Sequence, residues 1–142
     1  MSNETSAGTF DVADFEDQPE GEVLIKNPVT GEPTALAIVL AGPEHPIRKR
    51  VMFERQRVMR RQFQKTGKLT LADPVEDEEV ETAMLADFTL GWRNFIRGGE
   101  PYPHSRANAL AVYSDPKMRW LRDQVKTALD EREAFIRRSG TP

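Results

Sequence analysis

The sequence predicts an α+β fold: an N-terminal β-hairpin followed by a mainly α-helical domain of about four helices, preceded by a disordered acidic tail. Three observations carry this. Two apolar runs, Val23-Leu24-Ile25 and Thr34 to Leu40, flank the turn-rich Asn27-Pro28-Val29-Thr30-Gly31-Glu32-Pro33, the pattern of a hairpin with a moderately long loop. From Ile47 onward apolar residues recur at helical spacing. Residues 1–20 are acidic and polar, with Phe10 and Phe15 as the only large aromatic residues. Such a segment buries too little surface to offset chain entropy. The division read from this is a tail over 1–20, one hairpin-plus-helices domain over 21–138, and a frayed terminus over 139–142.

Asn-Pro and Gly31 suit the hairpin turn, the glycine because it accepts positive φ. In the second strand Leu36, Ile38 and Leu40 share one face and Ala35, Ala37 and Val39 the other. Two apolar faces require cover. A lone hairpin is marginal in water, so this one must lie on the helices or pair with another copy. Its edge, with Leu36 and Ile38, is the candidate for self-association.

The first helix is predicted over 46–65, with Pro46 in the first turn and Gly67 as the stop. Its apolar positions are Val51, Met52, Val58, Met59 and Phe63. A second helix opens at Pro74 after Asp73, a fitting N-cap, with acids crowding its first turns. Its stripe of Val80, Met84, Leu85, Phe88, Trp92, Phe95 and Ile96 predicts a run up to Gly98-Gly99. Ser105 caps a short helix over 106–114, and Asp115-Pro116 caps the last helix, which should reach about residue 138. Pro101 and Pro103 hold the intervening link extended, and Tyr102 is placed against Trp92.

The 142 residues are 38% hydrophobic and 30% charged, and contain no cysteine. Disulfides, thiol nucleophiles and zinc-thiolate sites are thereby excluded, and a reducing cytoplasm is the expected compartment. No apolar run approaches the roughly 18 residues of a membrane span, and the N-terminus lacks the pattern of a secretory signal. Charge falls in blocks. Residues 1–44 hold nine acids and one base (−8), and 45–68 nine bases and one acid (+8). Residues 69–90 hold seven acids and no base (−7), and 91–142 ten bases and six acids (+4). Blocks of this kind govern partner choice more than fold.

Catalytic constellations are absent. His104 and Ser105 are adjacent, which rarely aligns an imidazole with a hydroxyl, and no GxSxG elbow is present. His45 and His104 are the only histidines and form no helical ligand pair. The acids from Asp73 to Glu79 lack the spacing of a calcium loop and suit the helix dipole better. No catalytic residue, metal ligand or cofactor site is expected.

The strongest physical signal is the basic helix, IRKRVMFERQRVMRRQFQKTGK at 47–68. Three readings fit it: a nucleic-acid contact through phosphates, an amphipathic surface for a protein partner, second copy or membrane, or a solvated helix whose bases pair with the acidic blocks on either side. Methionines favour an adaptable protein-binding face. Val51, Met52, Arg55, Met59 and Phe63 are therefore the candidate partner-binding residues, and nucleic acid the less favoured partner.

The order of motifs resembles the small tail assembly chaperones of long-tailed bacteriophages. The residues that carry this are the hairpin VLIKNPVTGEPTALAIVLAGPEHPIRKR and, later, GWRNFIRGGEPYPHSRANALAVYSDPKMRWLRDQV. Gly31, Trp92, Gly99, Pro101, Pro103, Ser105, Asp115 and Pro116 mark the pattern, which spans about 22–136; the acidic tail lies outside it. The resemblance implies a non-enzymatic protein without cofactor, active in the infected host's cytoplasm and absent from the mature virion. It would bind the tape measure protein, keep it soluble and help tail tube subunits polymerise around it. Homo-oligomers, and a longer frameshifted form in relatives, are part of that picture. A structural minor tail or head–tail connector protein, and a small nucleic-acid-binding regulator using helix 47–65, are the alternatives.

Overall fold

Asn27 organises the first turn. Its side-chain Oδ1 accepts from the backbone N–H groups of Val29 and Thr30 at 2.9 and 3.1 Å. Its backbone closes on Gly31 and Glu32, with Gly31 at φ +77°, where a side chain would be strained. The turn joins β2 (Glu20–Lys26) to β3 (Pro33–Ala41) as an antiparallel pair, with Glu22 opposite Val39 and Val23 opposite Ile38. This is the hairpin expected from the sequence. The computed structural model describes residues 8–67 and 74–138.

After the hairpin come α1 (Pro46–Thr66) and α2 (Pro74–Phe88), then β4 (Thr89–Arg93) and the short strands β5 (Ile96–Arg97) and β6 (Glu100–Pro101). Next are α3 (Arg106–Ser114), a 3-10 turn at Pro116–Met118, α4 (Arg119–Asp130) and a second 3-10 turn at Arg132–Phe135. The chain ends, within the described residues, in β7 (Ile136–Arg138), which pairs with β1 (Phe15–Asp17). The mixture of a hairpin, further strands and four α-helices is the α+β class predicted.

The sheet has the order β2-β3-β4, all antiparallel. One face carries Ile38 and Leu40 into a core shared with Leu85, Phe88, Val112, Tyr113 and Leu121. On the other face an Arg93–Glu22 ion pair bridges the two outer strands. These residues sit opposite Ala37 and Val39 in the register, so charge covers the small apolar positions of β3. The helices are tied to the sheet by Gln124 of α4, whose amide accepts from the Lys26 N–H at 2.8 Å and donates to the Lys26 carbonyl at 2.9 Å. One side chain thus satisfies both backbone groups on the outer edge of β2.

Three departures from the predicted elements have physical causes. The second helix ends at Phe88, ten residues before the glycines expected to stop it. Thr89 donates its hydroxyl to the Leu85 carbonyl at 2.8 Å, and the chain then pairs with the open edge of β3, Trp92 opposite Ile38 and Gly91 opposite Val39. Gly98 and Gly99, at φ +61° and +82°, form the two-residue turn between β5 and β6, a geometry glycine pairs serve readily. The last helix stops at Asp130, where the Glu131 N–H is shared between the carbonyls of Thr127 and Ala128 and the backbone turns extended. Beyond it Phe135 is buried.

Phe135 also explains why the predicted tail is partly structured. A Cβ on Gly21 would lie 2.5 Å from the Ala134 carbonyl oxygen and 2.7 Å from the Phe135 ring, and one on Gly42 3.1 Å from that ring. The two glycines make the slot that holds Phe135. The Gln18 N–H donates to the Phe135 carbonyl at 2.7 Å, and β1 pairs with β7 from there. Residues 15–17 are therefore a strand rather than tail, because their partner lies about 120 positions away and leaves no local signal. Residues 1–7, the expected N-cap Asp73 and the terminus at 139–142 lie outside the described residues.

Leu36 and Ile38 do not form a self-association edge. β3 is the central strand, paired on both sides, Ile38 is fully buried, and Leu36 is half-buried against the core. The hairpin lies on its own helices and gains β4 as a third strand.

Candidate functional site

The basic helix α1 is the least enclosed element of the fold. His45 caps it, its Nδ1 accepting from the Ile47 N–H at 3.1 Å, Pro46 opens it, and Gly67 closes it in the left-handed region at φ +66°. These are the expected bounds to within one residue. None of its residues is buried, and from Met52 to Gly67 every residue is exposed. That stretch is about four turns long.

Only the first turns are seated. Ile47 and Val51 pack against the core, and Arg48 acts as a clasp. Its guanidinium donates to the carbonyls of Ala41 and Leu129 at 3.2 and 2.9 Å. It also lies 5.6 Å from the Phe88 ring centroid and 5.8 Å from that of Phe135, within cation–π range. Desolvation by burial lowers its pKa, partly offset by nearby Asp130; the group stays charged.

The predicted partner-binding residues divide accordingly. Val51 is half-buried and faces the core, while Met52, Met59 and Phe63 are 42%, 48% and 50% exposed. At helical spacing these three fall within about 40° of one another, and Arg48 falls at the edge of the same face. The side of the helix that carries Arg48 therefore continues outward as an apolar stripe with nothing described against it, turned about 100° from Val51. Where the stripe leaves the body, Met52, Arg55, Met84, Glu81 and Lys126 line a groove of about 390 Å³, and Arg55 Nη1 meets Met84 Sδ at 2.7 Å. Phe53, 60% exposed, sits off this stripe; its spacing gave no apolar neighbour to group it with.

Electrostatics sharpen the picture. The solvated-helix reading pairs α1 with the acidic blocks on either side; among the described residues Lys49 binds Glu44 of the preceding block, and no ion pair joins α1 to the block that follows. Glu78 is bound by Arg122, Glu81 by Lys126 and Asp87 by Arg106, all from α3 and α4. The hydrogen bonds to Asp87 and Glu81 raise the pKa of Arg106 and Lys126. On α1 itself the ion pairs are Lys49–Glu44 and Arg57–Glu54. The helix keeps a cationic excess along its free length.

The loop 97–109 is structural in its geometry. Trp92 stacks on Tyr102 with centroids 5.9 Å apart, and its Nε1 donates to the Tyr102 carbonyl at 2.7 Å. His104 meets Trp92 edge-on at 4.9 Å and bonds the Thr89 carbonyl through Nε2 at 3.1 Å. Ser105 Oγ accepts from the Asn108 N–H at 3.0 Å, the cap expected of it. Pro101 lies in β6, and the Pro103 carbonyl accepts from Asn108 Nδ2 at 2.8 Å. Asp115 caps the turn begun by Pro116 and also binds Arg97 at 2.6 Å. Gly31, Trp92, Gly99, Pro101, Pro103, Ser105, Asp115 and Pro116 thus build turns, caps and an aromatic cluster. Sequence reasoning did not assign the structural roles of Arg48, Gln124 and Arg122. Arg122 is only 3% exposed, bonded to Glu78 and to the Tyr113 carbonyl.

Among the described residues no group of His, Asp and Glu could hold a metal ion, and no helix is long and apolar enough to cross a membrane. No protein-family model, curated protein or solved structure matches the chain.

Proposed function

We propose that this chain is a tail assembly chaperone of a long-tailed bacteriophage, binding the tape measure protein in the host cytoplasm through the free length of α1. The observation that carries the reading is the exposed Met52–Met59–Phe63 stripe, edged by arginines and rooted on a rigid body by Arg48. An exposed apolar stripe on a helix is a docking face for another amphipathic helix. Methionines let it accept varied side chains, as a holder of a long helical chain requires. The order of turn and cap motifs that resembles the family is the second support.

Co-expression with a tape measure protein tests the proposal. The expected result is a soluble complex that depends on this protein; an insoluble partner and no co-purification would remove the reading. The cationic excess of α1 among the described residues gives a nucleic-acid role a specific basis as the second reading. It requires binding whose affinity falls by orders of magnitude between about 50 and 200 mM salt.

A further inference from the structure

A second exposed apolar patch lies near the N-terminus and is complementary in charge to α1. Phe10, Val12 and Phe15 are 69%, 75% and 41% exposed, three large apolar side chains within six residues. The Phe10 and Phe15 rings stack at 5.5 Å, and Asp11 caps the intervening 3-10 turn by accepting from the Ala13 N–H at 2.9 Å. The segment is thus a shaped knob, FDVADFE, whose apolar side chains alternate with Asp11, Asp14 and Glu16. The α1 stripe has the inverse character: Met52, Met59 and Phe63 flanked by Arg55 and Arg60.

The knob is not seated on the outer stripe of its own α1, since Phe10 and Val12 on one side and Met59 and Phe63 on the other are all exposed. The β1–β7 pairing and the Gln18–Phe135 bond tie it to the C-terminal strand, and it is the Gln18 and Pro19 carbonyls that follow it which lie against Gly42, ahead of α1. Phe63 lies about 22 Å farther along the axis than Arg48, and Phe10 stacks on Phe15 within its own segment. We infer that the knob of one copy docks on the α1 stripe of a second copy, apolar side chains meeting across a contact steered by opposite charge. Because the two patches differ, the contact is heterologous, and it closes only if two copies exchange knobs or a ring forms. The association occupies the surface assigned above to the tape measure protein, but it does not depend on that assignment.

Sedimentation velocity of the full chain tests this at up to about 0.5 mM, the range of small transient interfaces. The wild type should self-associate, and more weakly as salt rises. Asp14→Lys/Glu16→Lys, or Arg55→Glu/Arg60→Glu, should each weaken association by about tenfold, the size expected for losing several charged contacts, and the two pairs combined should restore it. Phe10→Ala, at a site too exposed to affect folding, should weaken it as well. A wild type monomeric throughout, association indifferent to the knob substitutions, or a folded double-reversal variant that stays monomeric would each overturn the inference.

Discussion

The guanidinium of Arg48 donates to the carbonyl of Leu129 at 2.9 Å, joining the root of α1 to the last turn of α4. Leu129 is buried, so the bond fixes the projecting helix to the core rather than to a mobile surface. Two carbonyls and two aromatic rings converge on this one side chain, and these contacts set the direction in which α1 leaves the body.

Arg48→Ala should therefore lower stability by about 2 kcal/mol, the order of two charge-assisted hydrogen bonds discounted for partial exposure. Arg48→Lys should recover only part of it, because an ammonium lacks the planar fork that reaches both carbonyls. Urea denaturation of the three proteins measures the difference.

Gly21 and Gly91 should respond oppositely to alanine. At Gly21 the new Cβ meets backbone, the Ala134 carbonyl oxygen at 2.5 Å, so Gly21→Ala should cost about 1–3 kcal/mol through overpacking. At Gly91 a Cβ meets nothing within 4 Å, and Gly91→Ala should be neutral or stabilise by up to about 1 kcal/mol. Thermal unfolding of the pair decides it; equal losses would show that Phe135 does not occupy its slot in solution.

Burial raises the Tyr113 pKa from 10.0 to about 12, with the hydrogen bond to Thr89 acting in the other direction. The folded state holds the phenol proton more tightly than the unfolded chain. Its contribution is fully present below pH 10, and stability falls as pH rises from there through about 12. Tyr113→Phe should cost about 1 kcal/mol at neutral pH, and its stability should decline less over that alkaline window. Parallel curves for the two proteins would contradict this.

Ser105→Ala should cost about 1 kcal/mol by leaving the Asn108 N–H without its cap, while His104→Ala should loosen the aromatic cluster around Trp92. The change in Trp fluorescence on His104→Ala distinguishes the packing role from a bystander loop histidine.

What was legible in the sequence follows how local each signal is. Asn27 to Gly31, Pro46, Gly67 and Ser105 act on backbone groups within a few residues, and each turn or cap formed where expected; Asp115-Pro116, expected to cap the last helix, caps a 3-10 turn instead, and α4 starts after it at Arg119 without a side-chain cap. The run from Trp92 to Ile96 has helical spacing, yet its backbone is claimed by β3, and paired glycines fit a helix stop and a hairpin turn equally well. β1 depends on β7 and on the slot for Phe135, a relation between the two ends of the chain that no window contains. At the candidate site the composition of α1 was legible. Its exposure was not, because three acids of the following block, Glu78, Glu81 and Asp87, are bound instead by Arg122, Lys126 and Arg106.

The central claim is that the outer stripe of α1 recognises a helical partner without holding up the fold. Met59→Ala/Phe63→Ala tests it most directly, in co-expression with the proposed tape measure partner and with thermal unfolding of the isolated protein alongside. Both side chains are about half exposed, so the melting temperature should stay within about 2 °C of wild type while the partner is lost to the insoluble fraction. A variant that keeps the partner soluble at wild-type yield would contradict the account.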